Sequence, residues 1–161
     1  MPAGRSAASA TAVAVTLVAL SLAATGTAAA KPKCAGLRAT IVGTKGDDVI
    51  QGTTKPDVIV AKGGNDEVYG RGDDDTICGK GGVNGLFGGS GDDTLIGGPD
   101  GGDIRGGSGD DTIRSRGGGT ILEAGSGDDT VVGSEAGFDY CYLGTGDDLH
   151  FFCDFVDDPD P

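Results

Sequence analysis

An all-β repeat fold, made of tight turns and very short strands rather than built around a large apolar core, is what this sequence predicts. Three observations lead there: an excess of glycine, a strongly acidic charge with few aromatics, and a period of nine residues. Of 161 residues, 33 are Gly, 25 are Asp or Glu, 12 are Lys or Arg, and aromatics make up 5%. Gly at a fifth of the chain, against an ordinary ~7%, leaves too few bulky side chains for a conventional core. A net charge of −13 excludes nucleic acid as a partner, because phosphates demand clustered Lys and Arg. Collagen is excluded as well, since Gly does not fall at every third position and Pro numbers only 6. A disordered acidic chain and a repeat fold remain, and the period decides between them.

Taken in chain order, residues 1–30 stand apart. Arg5 is their only charge, an apolar run extends from Ala10 to Ala24, and small residues end in Ala28-Ala29-Ala30. A charged start, a short apolar stretch and an A-x-A end describe a secretory signal peptide, with cleavage expected after Ala30. The apolar run is shorter than the ~20 residues of a spanning helix, and no second hydrophobic span follows, so membrane insertion is not expected. The expected location is extracellular.

Residues 31–150 carry the repeat. Cut every nine residues from Cys34, thirteen blocks fill residues 34–150. Their eighth position reads Ile41, Ile50, Ile59, Val68, Ile77, Leu86, Leu95, Ile104, Ile113, Leu122, Val131, Tyr140 and Leu149, all apolar. At an apolar content of 37%, chance produces such a run roughly twice in a million trials, and a disordered chain needs no phase. The first six positions are as regular: GGSGDD at 88–93 and 106–111, AGSGDD at 124–129, GTKGDD at 43–48. Gly at positions one, two and four permits left-handed backbone and close approach of chains. Asp at position six places a hard carboxylate in each turn. The three residues after it suit a short strand whose middle side chain faces inward.

These blocks resemble the GGxGxDxUx nonapeptide of the RTX (hemolysin-type) calcium-binding repeat family. Asp75 to Asp93 reads D-x-I-x4-G-x-N-x-L-x-G-G-x3-D, which is similar to the family's signature with Asn84 where Asp is usual. The resemblance implies a right-handed parallel β-roll, a β-solenoid in which two nonapeptides make one coil of 18 residues. It also implies calcium ions between successive turns on the same side, held by sixth-position carboxylates and backbone carbonyls. Sorted by side, one edge keeps its carboxylate throughout, at Asp57, Asp75, Asp93, Asp111, Asp129 and Asp147, the last in a turn shifted by one. The other keeps it at Asp48 and Asp66, weakens at Asn84, and then has Gly102, Thr120 and Phe138. The expectation is an asymmetric ladder, full on one edge and N-terminal only on the other. Its surest sites lie between the turns starting at 70 and 88, 88 and 106, and 106 and 124. Neighbouring Asp residues repel until a cation lies between them, and oxygen donors without imidazole or thiolate select calcium over zinc or copper. Folding and the binding of several calcium ions are expected to be one event.

The remaining features attach to this frame. Cys34, Cys78, Cys141 and Cys153 are an even set in an exported chain, which implies two disulfides with three possible pairings. The expected pairs are Cys141–Cys153, flanking the last coil, and Cys34–Cys78, joined by an N-terminal segment folded over the first coils. Residues 151–161 hold Phe151, Phe152 and Phe155 and an acidic end, read as an aromatic cap over the open end of the solenoid followed by a solvated tail. Position seven on one sheet is Thr76, Thr94, Thr112 and Thr130, an outward file beside Val60, Cys78, Ile96, Arg114 and Val132 at position nine.

With His150 the only histidine, neither a Ser-His-Asp triad nor an H-E-x-x-H helix has support. Acidic pairs that recur at every repeat read as scaffold rather than as a catalytic pair. The expected function is therefore a secreted calcium-binding protein, not an enzyme. The alternative is an extracellular adhesion module, or a module binding glycan or ice on the threonine face, with structural calcium.

Overall fold

Each pair of nonapeptides closes one coil of two strands and two turns. The computed structural model describes residues 30–159, so the expected signal peptide, apart from Ala30, lies outside the described residues. Strands β1 (Lys33–Cys34) and β2 (Leu37–Arg38) form an antiparallel hairpin. Fourteen further strands then alternate between two seven-stranded parallel sheets. One sheet stacks β3 (Ile41–Val42), β5 (Val58–Lys62), β7 (Thr76–Lys80), β9 (Thr94–Ile96), β11 (Thr112–Arg114), β13 (Thr130–Val132) and β15 (Leu149–Phe151). The other stacks β4 (Val49–Gln51), β6 (Glu67–Gly72), β8 (Asn84–Ser90), β10 (Gly102–Ser108), β12 (Thr120–Ser126), β14 (Tyr140–Thr145) and β16 (Phe155–Asp157). The result is the parallel β-roll that the repeat predicts. Among the described residues no helix is long and apolar enough to cross a membrane.

The register is 18 residues per coil from Ile41↔Ile59 to Ile113↔Val131. It holds the eighth-position side chains in one file between the sheets, and from Ile59 to Val131 each is 0 or 1% exposed. After Val131 the phase changes. Leu122 pairs with Cys141 and Val131 with His150, each 19 residues on. One extra residue in the turn 133–139 flips the alternation of the strand that follows, as a one-residue slip must. Tyr140 and Leu149, expected inside, are 43 and 59% exposed, while Cys141 and Leu143 are buried at 1 and 0%.

A second apolar cluster lies outside the roll. Cys34 and Ala39 from the N-terminal segment cover Val60, Cys78 and Ile96, with Val42 and Val58 against them. The position-nine file, expected to face solvent, is therefore covered along its first half. The threonine file is in register, Thr76↔Thr94↔Thr112↔Thr130. Both expected disulfides form, with Cα–Cα distances of 5.7 Å for Cys34–Cys78 and 5.9 Å for Cys141–Cys153. In the chain-entropy description, a cross-link over the 44-residue separation of the first pair is worth about 4 kcal/mol.

The C-terminal segment adds strands rather than a plug. Phe151, Phe152 and Phe155 are 51, 58 and 55% exposed, and the end of the core is closed by Leu143 and the Cys141–Cys153 bond. This phase makes a direct prediction. Leu143→Ala should lower the unfolding free energy by about 2–5 kcal/mol, as large-to-small changes in a core do. Leu149→Ala should change it by less than about 1 kcal/mol. Denaturant midpoints in the reverse order would restore the unbroken nine-residue phase.

Candidate metal centre

The turn G-G-S-G-D-D sets the chemistry of each coil edge. Its glycines are demanded by close stacking. A Cβ on Gly107, whose φ is +127°, would lie 2.1 Å from the carbonyl oxygen of Gly89 one coil below. At position one, a Cβ on Gly88 would stand 2.2 Å from Asp93 Oδ2 and 2.7 Å from the carbonyl oxygen of Gly106 in the next coil. A carboxylate oxygen and a backbone carbonyl from consecutive turns thus face the same small space, and Gly70 and Gly106 repeat the arrangement with Asp75 and Asp111.

Successive sixth positions are tied by one bond. The amide of Asp57 donates to Asp75 Oδ1 at 2.8 Å, Asp75 to Asp93 at 2.8 Å, and Asp93 to Asp111 at 2.8 Å. Asp111 donates to Asp129 at 2.7 Å and Asp129 to Asp148 at 2.8 Å. The inserted residue therefore makes Asp148, not Asp147, the sixth-position carboxylate of the last turn. Asp147 belongs to an outer file that the nine-residue reading did not separate. There the amides of Asp92, Asp110 and Asp128 donate back to Asp74, Asp92 and Asp110 at 2.9 Å, and Asp147 to Asp128 at 3.0 Å. Inner and outer carboxylates of each turn are bonded in opposite directions along the stack.

On the second side the ladder is interrupted. Asp48 donates to Asp66 Oδ1 and Asp66 to Asn84 Oδ1, each at 2.9 Å. Gly102 has no side chain to continue it. It resumes with the Thr120 amide on Asp139 Oδ1 at 2.9 Å and the Asp139 amide on Asp154 Oδ2 at 2.8 Å. The same insertion puts Asp139, rather than Phe138, at the sixth position.

What separates these carboxylates is the second oxygen. Oδ2 of Asp75, Asp93, Asp111, Asp129 and Asp148 on one edge, and of Asp66 on the other, is buried with no hydrogen-bond partner. Elsewhere the turn satisfies its own carboxylate. The Thr44, Thr53 and Ser134 amides donate to Oδ2 of Asp48, Asp57 and Asp139 at 2.6, 2.8 and 2.6 Å. Asn84 turns its Nδ2 onto the Gly82 carbonyl at 3.0 Å. Position two decides the outcome. Where it has positive φ, at Lys62, Arg71, Gly89, Gly107, Gly125 and Gly144, the carboxylate four residues on is left bare. A Thr or Ser there caps it. That distinction was present in the sequence, as Gly or a long side chain against a hydroxyl residue.

Buried oxygens without partners call for a cation. The donors here are carboxylates and carbonyls. The four cysteines are all in disulfides, so the site is hard and suits calcium rather than zinc or copper. Among the described residues no three acidic, His or Cys side chains converge on one point, so carbonyls must complete any coordination shell. Without a cation, burial, only partly offset by the amide bond and reinforced by neighbouring carboxylates, pushes Asp75, Asp93 and Asp129 up to about 6 and Asp111 to about 7. At Asp57 burial acts in the same direction, but the bonds from Thr53 and Thr40 outweigh it and hold the carboxyl below its ordinary value.

The model of one protein family, described as RTX calcium-binding nonapeptide repeat (4 copies), matches residues 39–54, 51–86, 79–113, 87–120 and 100–131. No curated protein and no solved structure matches the chain at the significance required.

The carboxyl shifts fix a pH dependence. These groups bind protons more tightly in the fold than in the unfolded chain, so stability without metal rises as pH falls. In chelator, lowering the pH from 7.5 to 5 should increase β structure in far-ultraviolet circular dichroism. A loss of β structure over that range would contradict the assignment of bare, buried carboxylates.

Proposed function

Since the chain belongs to the RTX calcium-binding nonapeptide repeat family, matched over residues 39–131, we propose that it is a secreted protein whose acidic edge folds as it takes up several calcium ions. The observation that carries this reading is the file of bare carboxylate oxygens on Asp75, Asp93, Asp111, Asp129 and Asp148, with Asp66 the one sixth-position carboxylate left bare on the other side among the described residues. Calcium supplies the positive charge those oxygens lack, and turn carbonyls complete its shell. Asp48, Asp57 and Asn84 serve the stack through hydrogen bonds instead. Six sites at tenfold saturation would add about 8 kcal/mol by linkage, comparable to the whole stability of an ordinary domain. Export is supported by the composition of residues 1–30 and by two disulfides. The recurrence of the acidic pair at the five turns from 70–75 to 143–148 favours a binding scaffold over an enzyme.

The file Thr76, Thr94, Thr112 and Thr130 supports a second, narrower reading, in which the uncovered part of that sheet face docks an extracellular surface, a glycan or ice. Changing Thr94 and Thr112 together to Lys should abolish retention on such a surface and leave calcium binding intact.

The primary reading predicts a coil-to-β transition in far-ultraviolet circular dichroism at about 10⁻⁴–10⁻³ M calcium, the range of extracellular modules. Magnesium should be a poor substitute, since it demands a tighter octahedral shell. Asp93→Asn with Asp111→Asn should raise the calcium midpoint several-fold, and Asp148→Asn should raise it more than Asp147→Asn. Spectra that do not respond to calcium would sink the proposal.

A further inference from the structure

The two ends of the roll satisfy their carboxylates by different means. In the turn 43–48, the amide and hydroxyl of Thr44 reach Asp48 Oδ2 at 2.6 and 3.0 Å. In the turn 52–57, Thr53 does the same for Asp57 Oδ2 at 2.8 and 2.9 Å, and the Thr40 hydroxyl donates to Asp57 Oδ1 at 2.9 Å. Neither carboxylate has an oxygen wanting a cation. From Asp66 onward the bare oxygens begin.

Charge divides at nearly the same place. Residues 31–72 contain seven Lys and Arg and five Asp and Glu, whereas residues 73–161 contain four and twenty. The first coils therefore have no net repulsion for a metal to neutralise. Packing divides there too. Under the N-terminal hairpin one sheet is covered on both faces, with Ile59 and Ile77 inside and Val60 and Cys78 outside, all at 0 or 1% exposure. The Cys34–Cys78 bond locks that double layer.

We propose that the N-terminal coils, up to the strand carrying Cys78, form a seed onto which calcium adds the remaining coils toward the C-terminus. The capped carboxylates of Asp48 and Asp57 and the disulfide-locked double layer hold the seed together without calcium, with the bare Asp66 and Asp75 at its growing end. The inference rests on the calcium reading above. The seed has the polarity that growth requires. Its last sixth-position amides, on Asp66 and Asp75, donate to Oδ1 of Asn84 and Asp93 in the following turns. A preformed strand edge and two positioned amides receive the next coil, which closes when a cation offsets its carboxylate. Each closed coil then offers the same edge to its successor, as nearest-neighbour stacking in solenoids does.

Hydrogen exchange by mass spectrometry on the full, disulfide-intact chain tests this, in chelator and through a calcium titration. Peptides from residues 41–72 should be protected in chelator, while those from 84–148 should exchange freely and gain protection with calcium. Protection that rises together in both regions, or that in chelator is confined to the coils near Cys141–Cys153, overturns the polarity and leaves the calcium reading standing. Protection that nowhere responds to calcium overturns both.

Thr44→Val with Thr53→Val should cut protection of residues 41–72 in chelator by about tenfold or more, from the loss of hydroxyl bonds to two charged groups. The calcium midpoint of the later coils should then rise. Thr94→Val with Thr112→Val, the same change made in strands β9 and β11 away from the seed, should change neither. Seed protection that survives the Thr44 and Thr53 changes would overturn the proposal.

Discussion

A single hydrogen bond, from the amide of one sixth-position residue to the carboxylate one coil further on, governs this molecule. It recurs at 2.7–2.8 Å from Asp57 through Asp148. By occupying Oδ1 and burying the side chain, it sets the spacing of the turns and also strands Oδ2 away from water. A buried, unpaired carboxylate oxygen is expensive. The same contact that aligns the coils therefore creates the deficit that a cation, a proton or a further donor must meet. The metal dependence we propose follows from how the stack is built, since the stacking bond and the bare oxygen belong to one side chain.

Which remedy a coil uses is decided locally, by the backbone at position two. With positive φ there, as at Gly107 and Arg71, the amide does not reach the carboxylate of its own turn. With Thr or Ser in that place the amide swings onto Oδ2, at 2.6–2.8 Å for Thr44, Thr53 and Ser134. Glycine thus does two things in these turns. It admits the carbonyl of the coil below at Gly107, and it keeps the carboxylate bare. On the proposed reading, this one position grades calcium dependence along the solenoid without altering the strands.

The file from Ile41 to Val131 was legible because a fixed period of nine needs no tertiary information, and the eighth position is inward wherever the phase holds. The phase was lost in the stretch 133–139, whose G-S-E-A-G-F-D has no glycine and acid landmarks at the repeat spacing. Cutting at nine from the N-terminal side carries the error forward and puts Asp147 and Phe138 where Asp148 and Asp139 stand. Phasing on L-G-T-G-D-D at 143–148 recovers the insertion, so the signal existed. The cover over Val60 and Cys78 is another matter. Nothing periodic marks residues 33–39, and only the lone Cys34 hints that this segment must cross the sheet to reach Cys78.

The place of the insertion is itself informative. On the edge with bare carboxylates the turns 70–75, 88–93, 106–111, 124–129 and 143–148 all have six residues, ending in Asp. The other edge varies: G-G-P-D-G-G at 97–102, S-R-G-G-G-T at 115–120, seven residues at 133–139, and a short connection between β15 and β16. Both edges carry the same parallel ladder, so backbone pairing alone does not demand a constant turn. Hydrogen bonds from side chains can be rearranged, as Ser115, Gly117 and Thr120 do at 2.6–2.9 Å, and they tolerate a turn of different length. A cation shared between consecutive turns needs carbonyls and a carboxylate at matched heights in each coil, and a single extra residue would displace them. Both strands after Val131 shift by the same 19 residues, so one insertion on the variable edge passes through the sheet pairing without disturbing the acidic edge, where Asp148 still meets the Asp129 amide at 2.8 Å. On the proposed calcium reading, constancy of the turn marks where a metal has to fit, and variation marks where the protein's own donors suffice.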